Sequence, residues 1–119
     1  MIDADFAQRF AQAWVKAWND HDLDAILAHY ADDIVFRSPR IRMVMDVARD
    51  KVRGREELRA YWTRALELSH DLYFEIDALF VGSDALTICY TNHRQQEVAE
   101  TFVFDAGGLV CESIAAYAF

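Results

Sequence analysis

The sequence is poor in the residues that mark several protein classes. Its 119 residues include one proline, four glycines and two cysteines, Cys89 and Cys111. So little proline and glycine, with 54% hydrophobic residues, excludes a disordered or collagen-like chain. Two cysteines are too few for a disulfide scaffold, and they lack metal-ligand spacing. We therefore expect a reducing compartment, the cytoplasm.

Long apolar runs and positive charge are also scarce. No apolar run approaches the ~18 residues of a membrane span, and the first residues lack the basic and apolar regions of a signal peptide. Twelve lysine and arginine residues stand against twenty aspartate and glutamate residues, which gives a net charge of −8. Most of such a surface repels phosphate. We expect neither nucleic acid nor a membrane among the partners.

The basic residues that exist are concentrated in one segment. Residues 37–64 contain nine of the twelve lysines and arginines and four acidic residues, a net charge of +5. In one interpretation, Arg40, Arg42 and their neighbours gate a pocket and attract an anionic ligand such as a carboxylate or sulfate. In the other, the segment balances the acidic remainder within one subunit or across a dimer. The sequence leaves both open.

The first part of the chain is helical. Residues 4–19 carry apolar side chains at helical spacing, with Phe6, Phe10, Ala13 and Ala17 along the centre line of the stripe and Trp14 and Trp18 to one side. Asp22 is placed to cap a second helix, and Gly54 precedes a third over residues 55–68. A strand over residues 33–38, ended by Pro39, lies between the second and third helices. Residues 40–53 fit a loop, an irregular edge strand, or part of each.

The second part of the chain predicts strands. In "DLYFEIDALFVG", Phe74, Ile76, Ala78 and Phe80 alternate with more polar residues. Three further strand-like stretches follow, separated by turn-forming residues. Helices followed by a run of strands predict one α+β domain over residues 1–119, with helices on one face of an antiparallel sheet.

Several motifs carry a family resemblance. The stretch "AWNDHDLDAILAHYADDIVFRSP", followed by "VRGREELRAYW", "ICYTN" and "ETFVFDAGG", resembles the SnoaL-like branch of the nuclear transport factor 2-like superfamily. The resemblance implies three N-terminal helices on a strongly curved, mostly antiparallel sheet, forming a cone with an internal pocket. It also implies a homodimer through the outer sheet face. Because the superfamily includes isomerases, cyclases, dehydratases and non-catalytic binders, the fold does not fix the chemistry.

Two positions bear on that chemistry. In the ketosteroid isomerase branch, the polar residue before the strand-ending proline is an aspartate that shuttles a proton, and Ser38 stands there. A serine hydroxyl is too weakly basic for that task, so the isomerase mechanism does not carry over. Ser38 either orients a ligand oxygen or bonds nearby backbone. Glu100 matches the second acid of the isomerases. It is either a desolvated catalytic acid in the pocket, an ion-paired residue, or exposed at a strand end.

Aromatic residues supply the remaining candidates for ligand binding. Trp14 stands where the isomerases have an oxyanion-hole tyrosine, and its N–H donates a hydrogen bond but transfers no proton. Trp14 and Trp18 either edge a cavity or pack in the core. The other expected pocket residues are Tyr30, Phe36, Tyr61, Trp62, Tyr90, Asn92, Phe102 and Tyr117.

The histidines predict no metal site. His21, His29, His70 and His93 are scattered without metal-ligand spacing, and there is no nucleophile elbow or phosphate-binding loop, so we expect no metal and no cofactor. His29 or His93 would serve as a base only if folded beside Glu100.

Three functions therefore remain. The first is an acid/base isomerase, cyclase or dehydratase that uses Glu100 on a small hydrophobic molecule. The second is a non-catalytic binder of such a molecule, which Ser38 and Trp14 favour. The third is a dimerisation domain with an incidental pocket.

Overall fold

The computed structural model describes residues 1–119 and alternates helices and strands before ending in four consecutive strands. The helices are α1 (Ala4–Asn19), α2 (Leu23–Leu27), α3 (Ile41–Met45) and α4 (Gly54–Leu68). The strands are β1 (Tyr30–Arg37), β2 (Lys51–Arg53), β3 (Glu75–Val81), β4 (Ala85–Thr91), β5 (Glu97–Phe104) and β6 (Val110–Tyr117).

All six strands form one open, mixed sheet with the helices on one side. The strand order is β2-β1-β6-β5-β4-β3. Only β1 and β6 pair in parallel, and every other pair is antiparallel. The predicted α+β architecture, with three main helices on a mostly antiparallel sheet, is confirmed. None of the helices is both long and apolar enough to cross a membrane.

Helix α1 begins at a side-chain cap and buries one stripe against the sheet. Asp3 Oδ1 accepts a hydrogen bond from Phe6 N at 2.8 Å, which satisfies a free N–H of the first turn. The buried residues are Ala7, Phe10, Ala11, Trp14, Ala17 and Trp18. Ala13 is exposed, so the centre of the buried stripe does not run through Ala13 as the sequence predicted. The stripe follows positions 7, 11, 14 and 18, which places Trp14 at its centre and not at its side.

Strand β3 contains a bulge that reverses the expected alternation. Ile76 pairs with Tyr90 and Ala78 with Cys89, so Asp77 is an extra residue in the ladder. Beyond the bulge, Leu79 packs against the core and Phe80 is 62% exposed. The predicted alternation, which put Phe80 on the same face as Ile76, was therefore wrong, because one inserted residue moves every later side chain to the opposite face.

The ambiguous segment 40–53 folds as a short helix followed by an edge strand. α3 ends at Asp46, whose φ of 54° is left-handed. β2 then pairs antiparallel with β1 through Val52 and Phe36. The edge strand was among the alternatives considered, whereas the helix was not. Five residues are too few for a clear periodic pattern, so the sequence does not predict α3.

The outer sheet face, opposite the helices, is only partly exposed and mostly uncharged. Thr87 and Thr101 share a hydrogen bond of 2.8 Å across it, and Ile114 is 43% exposed. The homodimer expected through this face stays a prediction.

Candidate functional site

A cavity of about 300 Å³ lies between the inner face of the sheet and helices α1, α3 and α4. Eight of the twelve residues predicted at the site line it: Trp18, Phe36, Tyr61, Trp62, Tyr90, Asn92, Glu100 and Tyr117. The sequence brings them together because strands β1, β4, β5 and β6 each direct alternate side chains toward the helices. The wall is therefore mainly apolar and rich in aromatic rings, with one carboxyl group.

Glu100 is buried in this wall. Its side chain shares the inner face of β5 with Val98 and Phe102, and the residue is 5% exposed. Tyr90 Oη donates a hydrogen bond to Glu100 Oε1 at 3.0 Å from the neighbouring strand. No cation pairs with the carboxylate. The alternatives of an ion pair and of an exposed strand end are therefore both excluded.

Burial sets the acidity of Glu100. It raises the pKa of the carboxyl from 4.5 to about 7, because the charged form loses its hydration, and the hydrogen bond from Tyr90 opposes part of this effect. An acid with a pKa near 7 exists in both protonation states near neutral pH. It is therefore suited both to give and to take a proton there.

Four tyrosines surround this carboxyl and stay neutral. Burial raises the pKa of Tyr30, Tyr61, Tyr90 and Tyr117 above its usual value, and the negative charge of Glu100 raises each further. Their hydroxyl groups are therefore hydrogen-bond donors and acceptors around Glu100, and not bases.

Three of the predicted ligand-binding aromatic residues do not line the cavity. Trp14, Tyr30 and Phe102 are fully buried. Trp14 Nε1 donates to Tyr30 Oη at 3.2 Å, and the ring of Phe102 lies 5.4 Å from that of Trp14. Because Trp14 occupies the centre of the α1 stripe, it packs in the solid core. The structure therefore places these three residues in the core and not in the cavity lining, and for Trp14 core packing was the alternative to a cavity edge.

Ser38 also lies outside the cavity lining. It is 2% exposed, and its Oγ accepts a hydrogen bond from Arg40 N at 3.2 Å. The strand-end serine therefore bonds nearby backbone, which was the alternative to a ligand contact. This turn fixes the path of the chain just before α3.

Asn92 lines the cavity, but its polar atoms are already engaged. Asn92 Oδ1 accepts hydrogen bonds from Arg94 N and Gln96 N, both at 3.0 Å. Asn92 Nδ2 donates to Gln96 Oε1 at 3.4 Å. These bonds hold the tight turn between β4 and β5, in which Gln95 has a φ of 63°. The role of Asn92 in the structure is to shape that turn.

The histidines take different positions. His93 lines the cavity with Glu100, whereas His29 packs edge-on against Phe10 and its pKa is lowered by burial. His21 Nε2 lies 2.8 Å from Leu72 O, and His70 is exposed. No three His, Cys, Asp or Glu side chains come together in a metal-binding group.

The mouth of the cavity includes apolar and basic residues. Met43 and Leu68 are 68% and 50% exposed, and both line it. Arg40 lines it too, as does Arg94 from the turn between β4 and β5. The sequence could not predict Arg94 or Met43 at the cavity. Arg94 is in a loop and Met43 in a five-residue helix, and neither has enough residues to show a periodic pattern.

The arrangement combines a largely apolar, aromatic-rich enclosure with one carboxyl group, that of Glu100. A small molecule held there would also meet three tyrosine hydroxyl groups, the His93 ring and, at the mouth, Arg40 and Arg94. Such a site can give and take protons.

Known proteins share this architecture. A SnoaL-like protein of unknown function from Burkholderia thailandensis is 40% identical and has a TM-score of 0.93, with 99% of this chain and 98% of that chain covered. A putative hydroxylase from Streptomyces galilaeus is 20% identical, with a TM-score of 0.76 over 98% of this chain and 91% of that one. An epoxide hydrolase/cyclase-like enzyme of pyran ring formation in salinomycin is 16% identical, with a TM-score of 0.75 over 100% and 95% of the two chains.

At these lower identities the likeness shows the fold alone. No curated protein matches the chain significantly. The SnoaL-like domain family, in contrast, matches residues 11–113, which span the whole sheet except its last residues. The chain belongs to the SnoaL-like domain family.

Proposed function

We propose that the protein binds a small, largely apolar molecule in the cavity and performs acid–base chemistry on it with Glu100. The observation that carries this proposal is a buried carboxyl group that lines a cavity, has no cationic partner and has a pKa of about 7. A carboxyl group kept there without a function would reduce stability, since its charged form is desolvated. Perturbed acids of this kind cluster at functional sites.

The proton steps follow from the two states of Glu100. When protonated, its carboxyl gives a proton to a ligand oxygen, either a carbonyl that becomes an enol or a hydroxyl that leaves as water. The carboxylate that results keeps the hydrogen bond from Tyr90 Oη. That carboxylate then accepts a proton from a ligand carbon and returns to its starting state. Isomerisation, cyclisation and dehydration all use such steps.

The geometry around Ser38 argues against a second protein base at the aspartate position of the isomerases. Ser38 Oγ is turned to the backbone of Arg40 and is not among the cavity residues. Glu100 is then the single carboxyl group of the lining. Among the carboxyl groups, proton transfer in both directions falls to Glu100, and the His93 imidazole is the other acid–base side chain of the lining.

The alternative is a non-catalytic binder of the same kind of molecule. The observation that favours it is that Glu100 is the single carboxyl group of the lining, with no second acid at the position of Ser38. In that case the Glu100 carboxyl, when protonated, holds a ligand oxygen by a hydrogen bond and no bond changes. The two functions share a ligand and differ in turnover.

Proton exchange separates them. A ketone with acidic carbon-bound protons, 2-tetralone, is incubated with the protein in D₂O, and deuterium incorporation is followed by proton NMR. We expect exchange faster than in buffer, and a loss of at least about 100-fold in Glu100→Gln. Glu97→Gln, an exposed acid on the same strand, is the matched control and should exchange at the wild-type rate.

The outcomes are distinct. Exchange that is as fast in Glu100→Gln as in the wild type would refute the role of Glu100. Stabilisation by 2-tetralone in a thermal unfolding assay, with exchange no faster than in buffer, would favour the non-catalytic binder.

A further inference from the structure

Two arginines line the cavity without an acidic partner. Eight of the twelve lysine and arginine side chains form ion pairs with aspartate or glutamate, including six in the basic segment 37–64. Arg40 and Arg94 form none, although the chain has twenty acidic residues. Arg42, on the same short helix as Met43, pairs instead with Asp50 at 3.9 Å and lies outside the cavity.

The sheet register brings these two arginines to the same end of the cavity. The Arg40 guanidinium lies 5.8 Å from the centre of the Tyr117 ring. Tyr117 pairs with Val98 at the beginning of β5, and Arg94 belongs to the turn that leads into β5. Both arginines therefore lie near the start of β5. Arg40 lies beside β6, and Arg94 lies in the turn from β4.

The backbone around each arginine is fixed. The Ser38 hydroxyl holds the turn at Arg40, and the side chain of Asn92 holds the turn at Arg94. Ser38 and Asn92, which were expected to contact the ligand, thus position the arginines near them. Fixed backbones reduce the entropy lost when the arginine side chains close on a ligand.

The cavity lining also contains ring nitrogens without a hydrogen-bond partner. Trp18 Nε1 and both ring nitrogens of His93 are buried without a hydrogen-bond partner in the chain. Asp71 approaches His93, with Nε2 and Oδ1 3.6 Å apart, but pairs with neither arginine. Donors that lack acceptors favour a ligand that supplies acceptor oxygens.

We propose that the ligand is an organic anion, with an apolar body in the aromatic cavity and a carboxylate held by Arg40 and Arg94 at its mouth. Guanidinium groups match the planar geometry of a carboxylate. Met43 and Leu68 provide apolar contacts beside this anion site.

Direct binding tests this proposal, which rests on the proposed function only for the role of Glu100. The probes are phenylalkanoates with two to five methylene groups and their primary amides, which have the same shape without the charge. Isothermal titration calorimetry should show at least one carboxylate binding roughly tenfold more tightly than its amide. The preference should weaken as salt is added.

Arginine variants identify the contact. In the double variant Arg40→Gln with Arg94→Gln, carboxylate and amide should bind equally, and the affinity for the amide should stay at its wild-type value. Arg42→Gln, which removes a neighbouring arginine outside the cavity, should keep the full preference. Thermal unfolding of each variant checks that the exposed substitutions leave the fold intact.

Each result decides between the proposals. No carboxylate bound more tightly than its amide, including the case in which no probe binds, would overturn the anion site. A preference retained in the double variant would overturn it as well. A preference lost in the double variant, with 2-tetralone exchange unaffected by Glu100→Gln, would support the anion site and refute the proposed catalysis.

Discussion

The space between the helices and the sheet has a solid end and a hollow end, and both are built from aromatic rings. At the solid end, Phe10 packs edge-on against Phe102 and Phe104, with ring centres 5.2 and 5.0 Å apart. At the hollow end, Trp62, Tyr90 and Tyr117 leave a cavity beside Glu100. At the solid end the rings fill space, and the polar atoms of Trp14 and Tyr30 bond each other. At the hollow end tyrosine and tryptophan place polar atoms on a wall, where a ligand can meet them.

The largest effect should come from emptying the solid end. Phe102→Ala removes a fully buried ring that contacts both Phe10 and Trp14. We expect a loss of about 3–5 kcal/mol in the free energy of unfolding, measured by urea denaturation. Leu68→Ala, at the mouth of the cavity, should change it by less than about 0.5 kcal/mol, since the residue is half exposed. Equal losses would remove the distinction between the two ends.

The second effect is confined to the hollow end and depends on pH. The pKa of Glu100 is about 7 in the folded protein, against 4.5 as the ordinary value. The folded protein therefore binds this proton more tightly, and the stability from Glu100 is complete below pH 4.5 and is lost as the pH rises to about 7. The difference corresponds to roughly 3 kcal/mol.

Glu100→Gln should abolish this loss. Relative to the wild type, it should be more stable by up to about 3 kcal/mol at pH 8 and of similar stability at pH 4. The four tyrosines that face Glu100 stay neutral over this range, so they do not contribute. Urea denaturation of both proteins at several pH values measures this difference in stability. Parallel pH profiles would show that Glu100 is not desolvated.

Two tryptophans one helical turn apart give a matched pair for the same comparison. Trp14 Nε1 donates to Tyr30 Oη in the solid end, whereas Trp18 Nε1 at the cavity is buried without a partner in the chain. Trp14→Phe should cost about 1–2 kcal/mol more than Trp18→Phe, because only the former breaks a hydrogen bond. Thermal and urea unfolding measure both. A larger loss for Trp18→Phe would mean that its N–H is satisfied.

The smallest expected effect comes from the hydrogen bond to Glu100. Tyr90→Phe removes the donor that opposes the raised pKa, so the pKa of Glu100 should rise by about one pH unit. The midpoint of the pH dependence of stability should move upward accordingly. An unchanged midpoint would indicate that Tyr90 does not donate to Glu100.

The sequence predicts the solid and hollow ends unequally. Strand alternation was enough to place Glu100 on the inner face with Phe102, because β5 has no bulge between them. It failed on β3, where Asp77 shifts the register. Spacing along α1 found the buried stripe but not its centre, since the small Ala13 resembles a core residue. Arg94 could not be assigned from the sequence, because its position depends on how a turn folds over the cavity.

The most direct test of the account is the pKa of Glu100 itself. NMR of protein labelled with carbon-13 at the glutamate side-chain carboxyl follows each carboxyl through a pH titration, and Glu100→Gln identifies the signal. We expect a midpoint of about 7 for Glu100. A midpoint near the ordinary 4.5 would contradict it, since a hydrated carboxyl could not serve as the acid of the cavity.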